Sequence, residues 1–282
     1  MTASTETPET PRTPRAVERG ALVPAQGRTG SPRTLWRMVV TETRLFVRDR
    51  GSMFFVVLFP VLLLTVLGLA MPWADQPFSD QDPLLERITA ITGYTPIVLS
   101  LAVATVGLSS FPVAVATYRQ RGVLRRMSTT PVGPTRLLTA QVLVNLGALV
   151  VGALLALLSG LVVLGISLPE DPATVVLAFL LAVLSTFAVG ALVAARAPTT
   201  TAANGIGMLL YFVSLFFAGV WLPLPLMPDA VQTVAGYLPL GAASQAMTDA
   251  WVGAAFPAQE LLVMAVWAAV ATPVAVRVFR WT

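Results

Sequence analysis

The sequence predicts an all-α integral membrane protein with six transmembrane helices, an N-terminal amphipathic interfacial helix, and re-entrant helices between spans five and six. Three observations lead there. Of 282 residues, 56% are hydrophobic and 11% charged, with a mean hydropathy of +0.77; a soluble fold has no use for so much apolar surface. Charge is missing from six stretches, 51–74, 88–118, 137–169, 172–195, 197–228 and 261–276. Each of these, with its flanks, can cross a hydrocarbon core about 30 Å thick, which takes roughly 20 helical residues. The remaining charges segregate by sign from loop to loop. The runs are continuously apolar, whereas the strands of a membrane barrel would alternate.

Residues 1–30, rich in Pro, Thr and Gly, have no apolar periodicity and read as a disordered cytoplasmic tail. They contain no apolar core ahead of a small-residue cleavage site, so a cleaved signal peptide is not expected. The six-span domain occupies 31–282. It opens with "RTLWRMVVTETRLFVRDR" (33–50). At about 100° per residue, Arg33, Arg37, Arg44 and Arg48 fall in a sector of roughly 80°, with Leu35, Val39 and Phe46 opposite and Glu42 as one acid on the apolar side. This predicts a helix along the membrane surface, with Trp36 at headgroup level and the arginines toward anionic lipid. Spans follow at about 52–72, 94–117, 137–167, 173–195, 202–222 and 259–278. Pro60, Pro96, Pro112 and Pro273 lie inside them and predict kinks. Between spans five and six, Pro223, Pro225, Pro228 and Pro239 forbid one continuous helix, and the apolar residues around them predict short helices dipping back into the membrane.

All 18 basic residues are arginine, and 17 of them fall on one side if the Arg-rich loops are placed together. That side is assigned to the cytoplasm, with both termini on it. Arg87 and nine acids take the other.

Cys, His and Lys are all absent. Disulfides, thiolate nucleophiles, His-ligated zinc and Ser–His pairs are therefore excluded. So is a GxxxxGK[ST] phosphate loop, whose Lys reaches the β/γ phosphates. No catalytic residue, metal site or nucleic-acid partner is expected, and the chain is not expected to be an enzyme. An ion-coupled carrier would keep an ionisable side chain within a span, and none is there. Ion coupling through backbone and hydroxyl ligands stays open as an alternative, as does a membrane partner of an ATPase that transports nothing.

Two sets of residues stand out. The loop "YRQRGVLRRMSTTPVGPTRLL" (118–138) has an apolar side of Val123, Leu124 and Met127 among Arg119, Arg121, Arg125 and Arg126, after Gly122 and before a break at Thr130–Pro131. This is more than topology requires, and suits docking into a groove on another cytoplasmic protein. Within the spans, Thr105, Ser109, Asn145 and Asn204, with the aromatic Tyr211, Phe212 and Phe216, are candidates to line a path for an amphipathic molecule.

"RQRGVLRRMSTTPVGPTRLLTAQVL" and "GVWLPLPLMPDAVQTVAGYLPLGAASQAM" resemble the cytoplasmic loop and the fifth-to-sixth-span connection of type-2 ABC (ATP-binding cassette) exporter membrane subunits. That family includes daunorubicin-resistance-type drug and polysaccharide export permeases. The chain departs from it in "YRQRG" at the loop's start and in Asp249. The resemblance covers about 33–282. It implies a plasma-membrane permease acting as a homodimer, or a related heterodimer, above separate ATPase subunits that carry ATP and Mg. It further implies a coupling helix near 120–130, re-entrant helices at 223–245, and outward export of a drug, lipid or glycolipid-like molecule by alternating access.

Overall fold

The computed structural model describes residues 32–80, 82–128 and 134–279. The expected tail at 1–30, and Thr130 and Pro131 of the loop, lie outside the described residues. Six helices are long and apolar enough to cross a membrane: span 1 (Arg50–Ala70), span 2 (Ala90–Gln120), span 3 (Thr135–Leu164), span 4 (Pro172–Arg196), span 5 (Thr200–Phe217) and span 6 (Ala258–Val278). Span 5 stops at Phe217, five residues before its expected end, at the turn where Gly219 takes a φ of 87°. The interfacial helix (Pro32–Arg48) precedes span 1, and a short loop helix (Val123–Ser128) links spans 2 and 3. The proline-rich connection forms a 3₁₀ turn at Leu224–Leu226, a helix at Asp229–Gly236 and a re-entrant-type helix at Pro239–Trp251.

Polar residues punctuate these helices at their starts. Asp49 separates the interfacial helix from span 1 and accepts from the backbone N–H of Gly51 (3.2 Å) and Ser52 (3.4 Å). Asp171 accepts from the N–H of Thr174 (3.1 Å), with Pro172 in the first turn of span 4. Thr199 does the same for span 5 through the N–H of Ala202 (3.1 Å). Each satisfies a donor that the first helical turn leaves open. Gly165, at φ 65°, ends span 3 in the left-handed conformation that glycine tolerates best.

Span 2 is the central element. It packs against spans 1, 3, 4 and 5 and against the Pro239–Trp251 helix, and 78% of its most apolar window is buried, against 17% for span 5. Span 6 lies along span 4, and the interfacial helix lies along span 3. The Trp251 indole donates to the Ser167 carbonyl (3.0 Å), and the N–H groups of Glu170 and Asp171 donate to the carbonyls of Trp251 and Ala250, which fixes the span 3–4 connection to the end of the Pro239–Trp251 helix.

Two of the expected proline kinks take a specific form. Spans 1 and 2 each widen into a π-helical turn, Phe54–Leu58 and Thr105–Ser110, just before Pro60 and Pro112. Proline has no N–H for the carbonyl four residues back and its ring crowds that carbonyl, so the helix opens there. The carbonyls in question belong to Val56 and Leu108, and both meet glycines. A Cβ at Gly152 of span 3 would stand 2.7 Å from the Val56 oxygen, and a Cβ at Gly207 of span 5 would overlap the Leu108 oxygen. At Gly190 of span 4 it would overlap the carbonyl of Gly107. The helices touch backbone to backbone because these positions have no side chain, which is how membrane helices gain close packing and weak Cα–H···O contacts.

Candidate functional site: a cavity between spans 1, 2, 3 and 5

A cavity of about 930 Å³ opens between the interfacial helix and spans 1, 2, 3 and 5. Six of the seven residues singled out as path-lining are on its wall: Thr105, Ser109, Asn145, Asn204, Tyr211 and Phe212. Phe216 is not. One turn beyond Phe212 the wall is made by Leu215, Val220 and Trp221, and Phe216 stands 44% exposed beside Phe217. The π-turn of span 2 supplies Thr105, Ser109 and Ser110 together. The Thr105 hydroxyl donates back to the Leu101 carbonyl (2.8 Å), so the Tyr211 hydroxyl 3.2 Å away donates to Thr105, joining spans 2 and 5 across the cavity.

The end of the cavity nearest the arginine-rich loop holds a polar network of which only Asn145 was in the expected set. Glu42 is 7% exposed. Its Oε2 accepts from the Tyr118 hydroxyl (2.7 Å) at the end of span 2 and from the Gln141 amide (2.5 Å) on span 3. Gln141 also donates to the Tyr118 oxygen (3.0 Å), and the Asn145 amide donates to the Gln141 carbonyl (2.8 Å) and side-chain oxygen (3.2 Å). Glu42, Tyr118, Gln141 and Asn145 all line the cavity. In sequence the pointer to Glu42 was its lone position on the apolar side of an Arg-rich amphipathic helix. The apolar wall comes from aromatics such as Phe46, Phe55 and Phe59.

The loop residues divide into two groups. Arg119 turns inward: its Nη1 donates to the carbonyls of Ala194 (2.8 Å) and Ala197 (3.1 Å), and its guanidinium lies 5.0 Å from the Phe279 ring centre. A cation at the C-terminal end of span 4 is electrostatically favourable. Leu124, expected on the docking side, is 1% exposed and anchors the loop helix against the bundle. Gly122, at φ 67°, makes the turn from span 2 into that helix. Arg121, Arg125 and Arg126 are exposed, Val123 and Met127 half-buried. On the interfacial helix, Arg33, Arg37, Arg44 and Arg48 are exposed, as is Trp36 at 67%.

A second cavity, of about 670 Å³, lies at the opposite end, between the 78–85 segment, the two helices of the proline-rich connection and the start of span 6. It is polar and brings together Asp82, Asp249 and Glu260. Burial, with Glu260 and Asp82 adding repulsion, pushes the Asp249 carboxyl up to about 6.

Residues 76–277 match the family described as ABC-2 family transporter protein, nearly three-quarters of the chain. The chain belongs to the ABC-2 transporter family. It is thus a multi-pass membrane subunit of an ABC transporter, a translocation subunit that works with an ABC ATPase subunit. No curated protein matches it. For an ABC-2 permease the two loop groups have a clear geometric sense: Leu124 packs the loop helix against the bundle, Arg119 joins the end of span 2 to the end of span 4, and Arg121, Arg125 and Arg126 are left exposed.

Proposed function

We propose that this permease exports an amphipathic drug, lipid or glycolipid-like molecule by alternating access, as a homodimer or related heterodimer driven by two separate ATPase subunits. The observation that carries this reading is the cavity between spans 1, 2, 3 and 5, apolar over most of its wall, with hydroxyl and amide groups at a few points. Such a surface accepts a molecule with a large apolar body and few polar groups. The distribution of arginines supports a plasma-membrane location with both termini, the interfacial helix and the loop helix in the cytoplasm, and the cavity then starts at the inner side.

The ATPase partner supplies ATP and Mg; this chain converts the partner's closure into motion of its spans. The loop helix receives the push through Arg121, Val123, Arg125, Arg126 and Met127. Buried Leu124 and the Arg119 contacts to span 4 then pass it to spans 2, 3 and 4, since a packed interface moves as a unit. ATP shifts the equilibrium between inward-open and outward-open arrangements by binding one of them better.

Gentle-detergent purification of the tagged chain tests this. The expected result is a stoichiometric partner carrying a GxxxxGK[ST] loop, lost with Val123→Pro while the six-span chain still inserts. A chain that purifies alone and moves solute in liposomes under an ion gradient would instead be a secondary carrier.

A further inference from the structure

We infer that Glu42 is the recognition group for the charged end of the transported molecule, and that this molecule is an amphipathic cation. The inference rests on the cavity being the transport path, and adds the sign of the charge that it accepts. Glu42 is buried to 7% exposure, and both of its hydrogen bonds, from Tyr118 and Gln141, come from neutral donors to one oxygen, Oε2. Among the described residues nothing donates to Oε1, and no arginine is ion-paired with the carboxylate.

A carboxylate withdrawn from water is costly unless it is both hydrogen-bonded and paired with a cation. Tyr118 and Gln141 meet the first need and hold the group in place; the second is left to whatever enters the cavity. The other charged groups on the wall do not supply it. Asp49 is an acid already engaged by Ser52 and the backbone of Gly51, and Arg121, whose charge reaches Tyr118, is exposed to water and not ion-paired with Glu42. On the same cavity wall, Phe46, Phe55, Phe59, Tyr211 and Phe212 supply aromatic surface; such rings attract a desolvated cation and also cover an apolar body. A neutral lipid or an anion would leave Glu42 unpaired, and an anion would also be repelled.

Two ions of closely similar size and shape and opposite charge, tetraphenylphosphonium and tetraphenylborate, make the test. Their binding to the permease–ATPase complex in lipid nanodiscs is measured by equilibrium dialysis, with uptake by empty nanodiscs subtracted. The expected result is that the phosphonium binds about tenfold or more tightly than the borate. Glu42→Gln, which keeps the shape and can still accept from Tyr118, removes that preference by weakening the phosphonium alone. Equal binding of the two ions by the natural chain overturns the inference, as does a preference that survives in a folded Glu42→Gln variant. Ser109→Trp, which fills the cavity from another wall, provides the check if Glu42→Gln does not fold: a phosphonium preference that persists with the cavity blocked means that the ion binds elsewhere, and the inference fails. Recovery of the ATPase partner is scored in the same preparations. Charge-blind binding with the partner retained sinks only the role of Glu42, whereas absence of the partner sinks the transporter reading beneath it.

Discussion

The two cavities hold the same chemical group under opposite conditions. In the cavity between spans 1, 2, 3 and 5, the buried carboxylate of Glu42 stands on a wall that includes aromatics and is fixed by a phenol and an amide. In the cavity at the other end, Asp82, Asp249 and Glu260 share a polar hollow and repel one another. The walls differ as well. Spans 1, 2, 3 and 5 wall the first, with spans 2 and 5 pressed backbone to backbone at Gly207 and spans 2 and 4 at Gly190 behind it; loops and short helices shape much of the second. A wall with one buried, oriented carboxylate can select a ligand. Three acids brought together from a loop, the Pro239–Trp251 helix and the first turn of span 6 instead make that end of the molecule sensitive to pH.

The largest effect is expected where the spans touch. Gly190→Val or Gly207→Val forces a side chain into the carbonyl of Gly107 or Leu108, at a cost of about 3 kcal/mol or more. Thermal unfolding in detergent should show a large drop in melting temperature, with aggregation on size-exclusion chromatography. Gly147→Ala and Gly205→Ala, where a Cβ meets nothing within 4 Å, should be neutral or stabilising by up to about 1 kcal/mol. Equal effects at all four positions would show that these seams do not hold the wall.

Next in size is Glu42→Ala, which strands the Tyr118 hydroxyl and the Gln141 amide in a half-buried site, at about 2–4 kcal/mol. Its melting temperature should fall well below that of Glu42→Gln, and similar values for the two would remove the network from the account of stability. Asp249 should act with the opposite sign. Its folded pKa of about 6 exceeds the ordinary 3.8, so between those values the folded state holds more proton than the unfolded one. The contribution of Asp249 to stability is then full below about pH 3.8 and is lost as pH rises through 6. Asp249→Asn should raise the melting temperature at pH 8 by a few degrees, corresponding to roughly 1–3 kcal/mol, and flatten the profile between about pH 4 and 6; an unchanged profile would contradict the repulsive cluster. The smallest effect on stability belongs to Trp36→Ala. This ring is 67% exposed, and the protein in detergent should unfold within about 0.5 kcal/mol of its parent. A larger loss would mean that the ring packs on protein and not at the lipid boundary.

Much of the architecture was legible in the sequence because it depends on local properties. Continuous apolar runs mark spans whatever packs beside them. Pro60 and Pro112 marked the places where spans 1 and 2 depart from regular helix, but not the glycines that receive the displaced carbonyls, since those lie on other spans. The cavity wall was readable at Thr105, Ser109 and Tyr211, where polar or aromatic groups stand out in an apolar helix. Phe216 failed because composition does not say where a cavity ends. Glu42 was visible only as an irregularity on a helix face, because its meaning depends on Tyr118 and Gln141, 76 and 99 residues away in the chain. Leu124 was placed on the docking side by the local apolar pattern it shares with Val123 and Met127, and Arg119 by its place among the loop arginines; burial and long-range hydrogen bonds turn them toward the bundle.

ATP-dependent uptake of a fluorescent amphipathic cation into inside-out membrane vesicles, containing this chain and its ATPase, tests most directly whether the cavity is the route of an ATP-driven exporter. The predicted result is uptake that requires ATP and is abolished by Ser109→Trp while the ATPase still co-purifies. Uptake that proceeds unchanged with Ser109→Trp, or that runs on an ion gradient without ATP, would contradict it.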